Sequence, residues 1–193
     1  MTPVLGIFIG GRGLRMGGVQ KALLIAPDTG ETLIARSLRI AREAELEVVL
    51  LGAAELGAQA AGALQLPDAS SGMGPLAGLQ SLLSYAGQRN AICLACDMPY
   101  VTAELLGRLA RASASKQPQV LAPRNPKTGK WEPLFARYQS PTVAPLLADA
   151  LAEGERSFQG LFRRLTVAEL LLDRNERAEL RDWDTPEDMR EDD

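Results

Sequence analysis

Residues 3–21 read PVLGIFIGGRGLRMGGVQK. The first seven, PVLGIFI, are a short apolar run stopped by glycine, which predicts a buried strand. Behind it, Gly10 to Gly18 hold five glycines in nine residues. Such a segment turns tightly and lets its backbone come close to a ligand. Its successive N–H groups can cradle an anion. Arg12, Arg15 and Lys21 add donors and positive charge, with no acid between residues 11 and 21. The segment is not a Walker A loop, because no GKS or GKT follows the glycines. It is not a dinucleotide fingerprint either, because Met16 stands where the third glycine belongs. What remains is the physical logic of a phosphate cradle without either common signature.

Outward from this stretch, strand-like and helix-like runs alternate. Ala22 to Ile25 suggest a short extended piece. Residues 31–45 place Leu33, Ile34, Leu38 and Ala41 at helical intervals. Residues 47–51 read as a second strand, 54–63 as an alanine-rich helix and 64–67 as a third strand. Pro75 suits the first position of a helix running to about Tyr85. Residues 91–96 form the next strand, ending at Asp97, and Thr102 is placed to cap a helix over 103–113. Residues 119–124 and 132–138 flank the turn segment NPKTGK and predict an antiparallel pair. Ser140-Pro141 opens a helix that Gly154 closes, Ser157 starts a shorter one, 166–172 is a late strand, and Thr185-Pro186 opens a last helix. The expected fold class is α/β: one three-layer, doubly wound domain over residues 1–193 with a mostly parallel, mixed sheet. Ligands of such sheets bind outside the carboxyl ends of the strands. The loop 10–21, the loop 68–75 and Asp97 all fall there.

Composition narrows the chemistry. The chain has 193 residues, 46% hydrophobic and 23% charged, as ordinary globular proteins do. No run of about 18 apolar residues exists, so no membrane span is expected. Histidine is absent. That excludes Ser-His-Asp and Cys-His catalysis and the usual zinc sites. Any metal must sit on oxygen ligands, which points to a hard ion such as Mg2+. The net charge of −3 argues against a nucleic-acid partner. Cys93 and Cys96 lie three apart on one predicted strand and so face opposite sides, as buried thiols rather than a disulfide or a metal pair. Two such cysteines suit a reducing compartment. MTPVLGIFIG lacks a basic n-region and its apolar run is too short for a signal peptide, so the expected location is cytoplasmic.

Three further segments carry candidate chemistry. Asp97, in Cys96-Asp97-Met98-Pro99, is a carboxylate at the end of a buried strand and a candidate Mg2+ ligand. Asp68 precedes the turn-rich Ser71 to Gly78. Asp182 to Asp188 has the composition of a helix start.

In order, these segments resemble the nucleotidyltransferases of molybdenum-cofactor maturation, and within them the guanylyltransferase family. Its first loop, GG-x3-RMGG-x-DK, stands here as Gly10-Gly11, Arg15-Met16-Gly17-Gly18 and Lys21. GPLAG stands as Gly74 to Gly78, the acid-x-Pro-Tyr strand end as Asp97 to Tyr100, PLFA as Pro133 to Ala136, and N-x-NTPE as Asp182 to Glu187. The resemblance covers nearly the whole chain. Gln20 stands where that family has an aspartate, and Asp182 and Asp184 stand where it has asparagines.

The resemblance implies transfer of GMP from GTP to the terminal phosphate of molybdopterin, with Mg2+ as cofactor. It implies nucleotide contacts at Phe8, Ile9, Gly10, Gly11, Lys21, Asp68 and Asp97, with Asp97 also on the metal. Arg15, Lys21 and Asp97 would be the catalytic residues, and Asp182 and Asp184 would lie at the pterin. The implied partners are GTP, molybdopterin and a molybdoenzyme or chaperone that receives the product, with no nucleic acid and no membrane. Two alternatives stay open at this point: cytidylyl transfer to the same pterin, and a non-catalytic nucleotide-binding regulator.

Overall fold

The PVLGIFI run forms β1, Val4–Phe8. Its side chains alternate between two apolar cores, as strand geometry requires. Val4 joins Val49, Leu76, Leu79 and Cys93 in one core, whereas Leu5 and Ile7 join Ile34, Ile92, Leu94 and Leu105 in the other. The computed structural model describes residues 1–9, 20–27, 29–60, 62–69, 74–113, 118–183 and 188. The remaining strands among these residues are β2 (Glu47–Leu51), β3 (Leu64–Leu66), β4 (Asn90–Ala95), β5 (Val120–Ala122), β6 (Phe135–Gln139) and β7 (Val167–Glu169). All seven join one sheet in the order β3-β2-β1-β4-β6-β5-β7. β6 runs antiparallel to β4 and β5, and the other pairings are parallel. The sheet is therefore mostly parallel and mixed, as its sequence pattern predicts.

Helices cover both faces. α1 (Leu33–Glu43) and α3 (Ala103–Arg111) share one core, while α2 (Pro75–Ala86), α4 (Ser140–Ala152) and α5 (Phe158–Phe162) share the other. This gives the expected three layers. Cys93 and Cys96 are buried in different cores and are unbridged, in agreement with the facing argument. Thr102 Oγ1 caps α3 by accepting from Leu105 N–H at 3.1 Å, and Ser157 Oγ caps α5 from Gly160 N–H at 3.0 Å. Each such cap stabilises by about 1 kcal/mol.

Three local expectations need correction. Lys21–Leu23 is a 3-10 turn, not the start of an extended piece, and only an isolated bridge joins Ile25 to Thr32. Among the described residues of the alanine-rich stretch 54–63, only Gly57–Ala60 is helical, as a 3-10 turn. Gly57 and Gly62 both have positive φ there, and so short a stretch cannot nucleate a helix on alanine propensity alone. The late strand is confined to Val167–Glu169, and a helix not expected from the pattern, α6 (Arg174–Glu179), follows it. Asp173 and Glu176 form a reciprocal capping box at its start. That D-x-x-E spacing was a readable signal. The last expected helix, from Thr185, lies outside the described residues.

Candidate functional site

The chain leaves β1 for β2 and β3 on one side, then returns to β4 on the other. The carboxyl ends of β1 and β4 thus flank the point where strand order reverses, the crevice that open α/β sheets use for ligands. Backbone pairing continues just past both strands. Cys96 N–H donates to Phe8 C=O at 3.1 Å, and Ile9 N–H donates to Leu51 C=O at 3.0 Å. Ile9, which leads into the glycine-rich loop, and Asp97 therefore emerge side by side.

Lys21 closes the far end of that loop. Its Nζ donates to Asp97 Oδ2 at 2.8 Å, across 76 residues of sequence. The two side chains are 18% and 19% exposed, so the pair is largely desolvated yet reachable from solution. Removing either charge would take this ion-pair partner from the other in poorly solvated surroundings. Cys96, next to Asp97, takes no part as a thiolate: burial first, and then the Asp97 charge, push its thiol up to about 12.

The C-terminal segment docks onto the same place. Trp183 N–H donates to Asp97 C=O at 2.9 Å. The Trp183 indole is 2% exposed and packs with Ala26, Leu33, Leu24 and Tyr100. Its Nε1–H donates to the Tyr100 hydroxyl at 3.1 Å, and Arg181 Nη2 donates to the same oxygen at 2.7 Å. The Arg181 guanidinium lies 4.5 Å from the Tyr100 ring centroid, a cation–π distance. Tyr100 and Trp183 meet edge to face, with centroids 6.4 Å apart. Asp182 lies exposed between these anchors.

GPLAG is explained by local geometry. Gly74, the N-cap of α2, has φ 64° and ψ −155°, a conformation open essentially to glycine alone. Pro75 then supplies the preset φ of the first turn. Gly78 lies under Phe8, and a Cβ there would come within 2.8 Å of the Phe8 ring. Phe8 packs edge to face on Phe158, and Ile9 is buried in the opposite core. The side chains of Phe8 and Ile9 are thus committed to the core.

Asp68 lies exposed beyond β3, the edge strand. Two strand spacings, roughly 10 Å, separate β3 from β1, so Asp68 is at the expected edge of the sheet but not beside Lys21 and Asp97. Gly10, Gly11, Arg15 and Asp184 lie outside the described residues. Sequence reasoning assigned no role to Tyr100 or Trp183. The available signal was their position inside two of the candidate segments, in a chain only 5% aromatic.

Among the described residues, no group of three or more Asp, Glu, Cys or His side chains comes together. Asp97 offers a hard oxygen donor at the strand end. One carboxylate suits an ion that completes its shell with water and phosphate oxygens, as Mg2+ commonly does.

Residues 6–169 match the family described as the MobA-like NTP transferase domain. The chain belongs to that family. A probable molybdenum cofactor guanylyltransferase of Opitutus terrae is 35% identical over 94% of this chain and 90% of its own length. A molybdenum cofactor guanylyltransferase of Pseudomonas putida is 34% identical over 96% of this chain and 94% of its own length. The crystal structure of molybdopterin-guanine dinucleotide biosynthesis protein A from Archaeoglobus fulgidus superposes with a TM-score of 0.79 at 24% identity, covering 97% of this chain and 95% of that one. The matched region runs from within β1 to the end of β7.

Proposed function

We propose that this chain, acting as one nucleotidyltransferase domain over residues 1–193, transfers GMP from GTP to the terminal phosphate of the molybdenum-pterin cofactor. The observation that carries the reading is the Lys21–Asp97 pair at the strand-order reversal, closing a glycine-rich cationic loop. The chain's likeness to molybdenum cofactor guanylyltransferases of Opitutus terrae and Pseudomonas putida supports guanine as the base.

In this reaction a pterin phosphate oxygen bonds to the α-phosphorus as the bond from that phosphorus to the β-phosphate oxygen breaks. Pyrophosphate carries away the electron pair. The nucleophile is already an anion, which fits a chain without histidine. Catalysis then reduces to positioning and charge neutralisation. Lys21 holds the β- and γ-phosphates as a point charge, and Arg15 adds to the charge offset on the leaving group. Gly10 and Gly11 donate backbone N–H groups to phosphate oxygens. Phe8 and Ile9 contribute through their main chain, since their side chains are in the core. Asp68 contacts the nucleotide from the β3 edge. Asp97 would hold Mg2+, which when bound neutralises phosphate charge and orients the chain of phosphates. Asp182 and Asp184 border the pterin.

No helix among the described residues is long and apolar enough to cross a membrane. The protein works in the cytoplasm, without nucleic acid, and passes its product to a molybdoenzyme or a chaperone. The test is pyrophosphate release with the pterin acceptor present, comparing GTP, CTP and ATP. GTP-dependent release supports the reading. A preference for CTP would reassign the base, and nucleotide binding without release would make the protein a regulator.

A further inference from the structure

We infer that Trp183, latched by Tyr100, is a positioning residue that holds Lys21 and Asp97 in register with each other. Lys21 and Asp97 come from segments 76 residues apart, and their ion pair joins them directly. Trp183 joins the same two segments by independent contacts. On the Asp97 side, its backbone N–H holds the Asp97 carbonyl at 2.9 Å and its indole donates to Tyr100, three residues further on. On the Lys21 side, its ring packs with Leu24 and Ala26.

Those two residues are tied to the Lys21 turn by the main chain. Leu24 N–H donates to Lys21 C=O at 3.0 Å, and Leu33 N–H donates to Leu24 C=O at 2.8 Å. Ala26 N–H donates to Glu31 C=O at 2.8 Å, and Leu33, on the first turn of α1, completes the cluster. The cluster is small and separate from the two main cores; Ala22, Cys96 and Met98 share one of those cores and Arg36 Nη1 donates to Val101 C=O at 2.8 Å, so Trp183 is a further tie, outside the core, between segments that the core also joins. A shift of about 1 Å between a positioned cation and its phosphate can cost roughly a hundredfold in rate. The Trp183–Tyr100 latch thus ties a segment near the C-terminus to the geometry of the reacting end of the sheet.

The inference concerns the free protein and rests on the proposed function only for its kinetic consequence. The experiment therefore has two readouts on the full chain. The first is the rate at which an amine-reactive acylating reagent modifies Lys21, measured by mass spectrometry, with exposed Lys127 and Lys130 as internal references. The second is kcat and KM for GTP in the pyrophosphate assay. Trp183→Ala should speed Lys21 acylation by about fivefold or more, as loss of roughly 1 kcal/mol of local order implies, and should leave Lys127 and Lys130 unchanged. It should lower kcat by about tenfold or more with little change in KM. Trp183→Phe keeps most of the apolar fill that Trp183→Ala removes, so it should recover most of both values. Tyr100→Phe removes the acceptor of the indole N–H and should give an intermediate rise in acylation. Leu161→Ala, a cavity in the opposite core, is the control for loss of stability. Unchanged Lys21 acylation in Trp183→Ala, or an equal rise in Leu161→Ala, overturns the inference. Faster acylation in a protein that never turns over GTP would uphold the positioning role and reject the proposed function instead.

Discussion

Two polar clusters sit at opposite edges of the sheet and show how the same ingredients serve different ends. At the amino edge, Glu47 at the start of β2 accepts from Arg89 and from the Tyr85 hydroxyl, the latter at 2.6 Å. At the carboxyl edge, Asp97 accepts from Lys21 at 2.8 Å. Both join distant segments. The Glu47 side chain is 44% exposed and its two partners occupy both carboxylate oxygens, so it rests on the surface as a fastening. The Lys21–Asp97 pair is more deeply set, lies where strand order reverses, and has the C-terminal segment docked beside it through Trp183. A satisfied, solvated ion pair contributes little stability. A largely desolvated pair at the carboxyl ends of the strands can exchange its internal partner for phosphate and a cation. Position in the topology, more than the pairing itself, separates the two.

That contrast can be broken by experiment, beginning with the largest expected effect. Asp97→Asn should lose some stability with the broken ion pair and most of its activity, by several kcal/mol of transition-state stabilisation, equivalent to more than about a hundredfold in kcat. Turnover within threefold of wild type at saturating Mg2+ would contradict the assignment. Lys21→Ala should weaken GTP much more than GMP, because GMP lacks the β- and γ-phosphates. Isothermal titration with the two nucleotides reads this directly, and an equal loss for both would place Lys21 at the α-phosphate or in a purely structural role. Asp182→Asn removes an exposed negative charge beside the proposed pterin phosphate and should tighten the pterin by a few-fold, less so at high salt. If pterin affinity does not move, the C-terminal segment does not meet that phosphate.

The smallest effect belongs to the amino edge. The hydrogen bonds from Arg89, and secondarily from Tyr85, hold the Glu47 carboxyl below its ordinary range. A depressed folded-state value stabilises above the unfolded-state value and is lost as pH falls through the folded-state one. Glu47→Gln should therefore cost no more than about 1 kcal/mol near neutrality, discounted for its exposure. The gap from wild type should close in acid, and activity should stay unchanged. Chemical denaturation across pH checks both statements. A Glu47→Gln variant as inactive as Asp97→Asn would erase the distinction between the two edges.

Much of this layout was legible in the sequence because it depends on near-neighbour rules. Alternation in VLGIF and NAICLA assigns each strand residue to a face, and the structure sends Val4 and Cys93 one way and Leu5 and Ile92 the other. Gly74-Pro75 marks a helix start because only certain residues adopt those angles. Lys21 and Asp97 stood out singly, but their pairing follows from the return of β4 beside β1, which no local pattern encodes. The apolar run Ala22 to Ile25 has no period to separate strand from turn, and its 3-10 start is fixed by Gln20 and Lys21 carbonyls. The Tyr100–Trp183 contact spans 83 residues and depends on where the chain ends up. Neither aromatic lies in a periodic run, so neither could be assigned a partner. The Asp173 capping box was written plainly and belonged to a helix too short to announce itself by an apolar face.

The central claim is that Lys21 is released by Asp97 to a nucleotide while Arg89 stays with Glu47. NMR of the side-chain N–H groups, with the Lys21 ammonium and the Arg89 guanidinium assigned by substitution, reads both clusters in one titration with GTP and Mg2+. The account predicts a saturable shift of the Lys21 signal and a stationary Arg89 signal. A Lys21 signal that stays fixed at saturating GTP would contradict it.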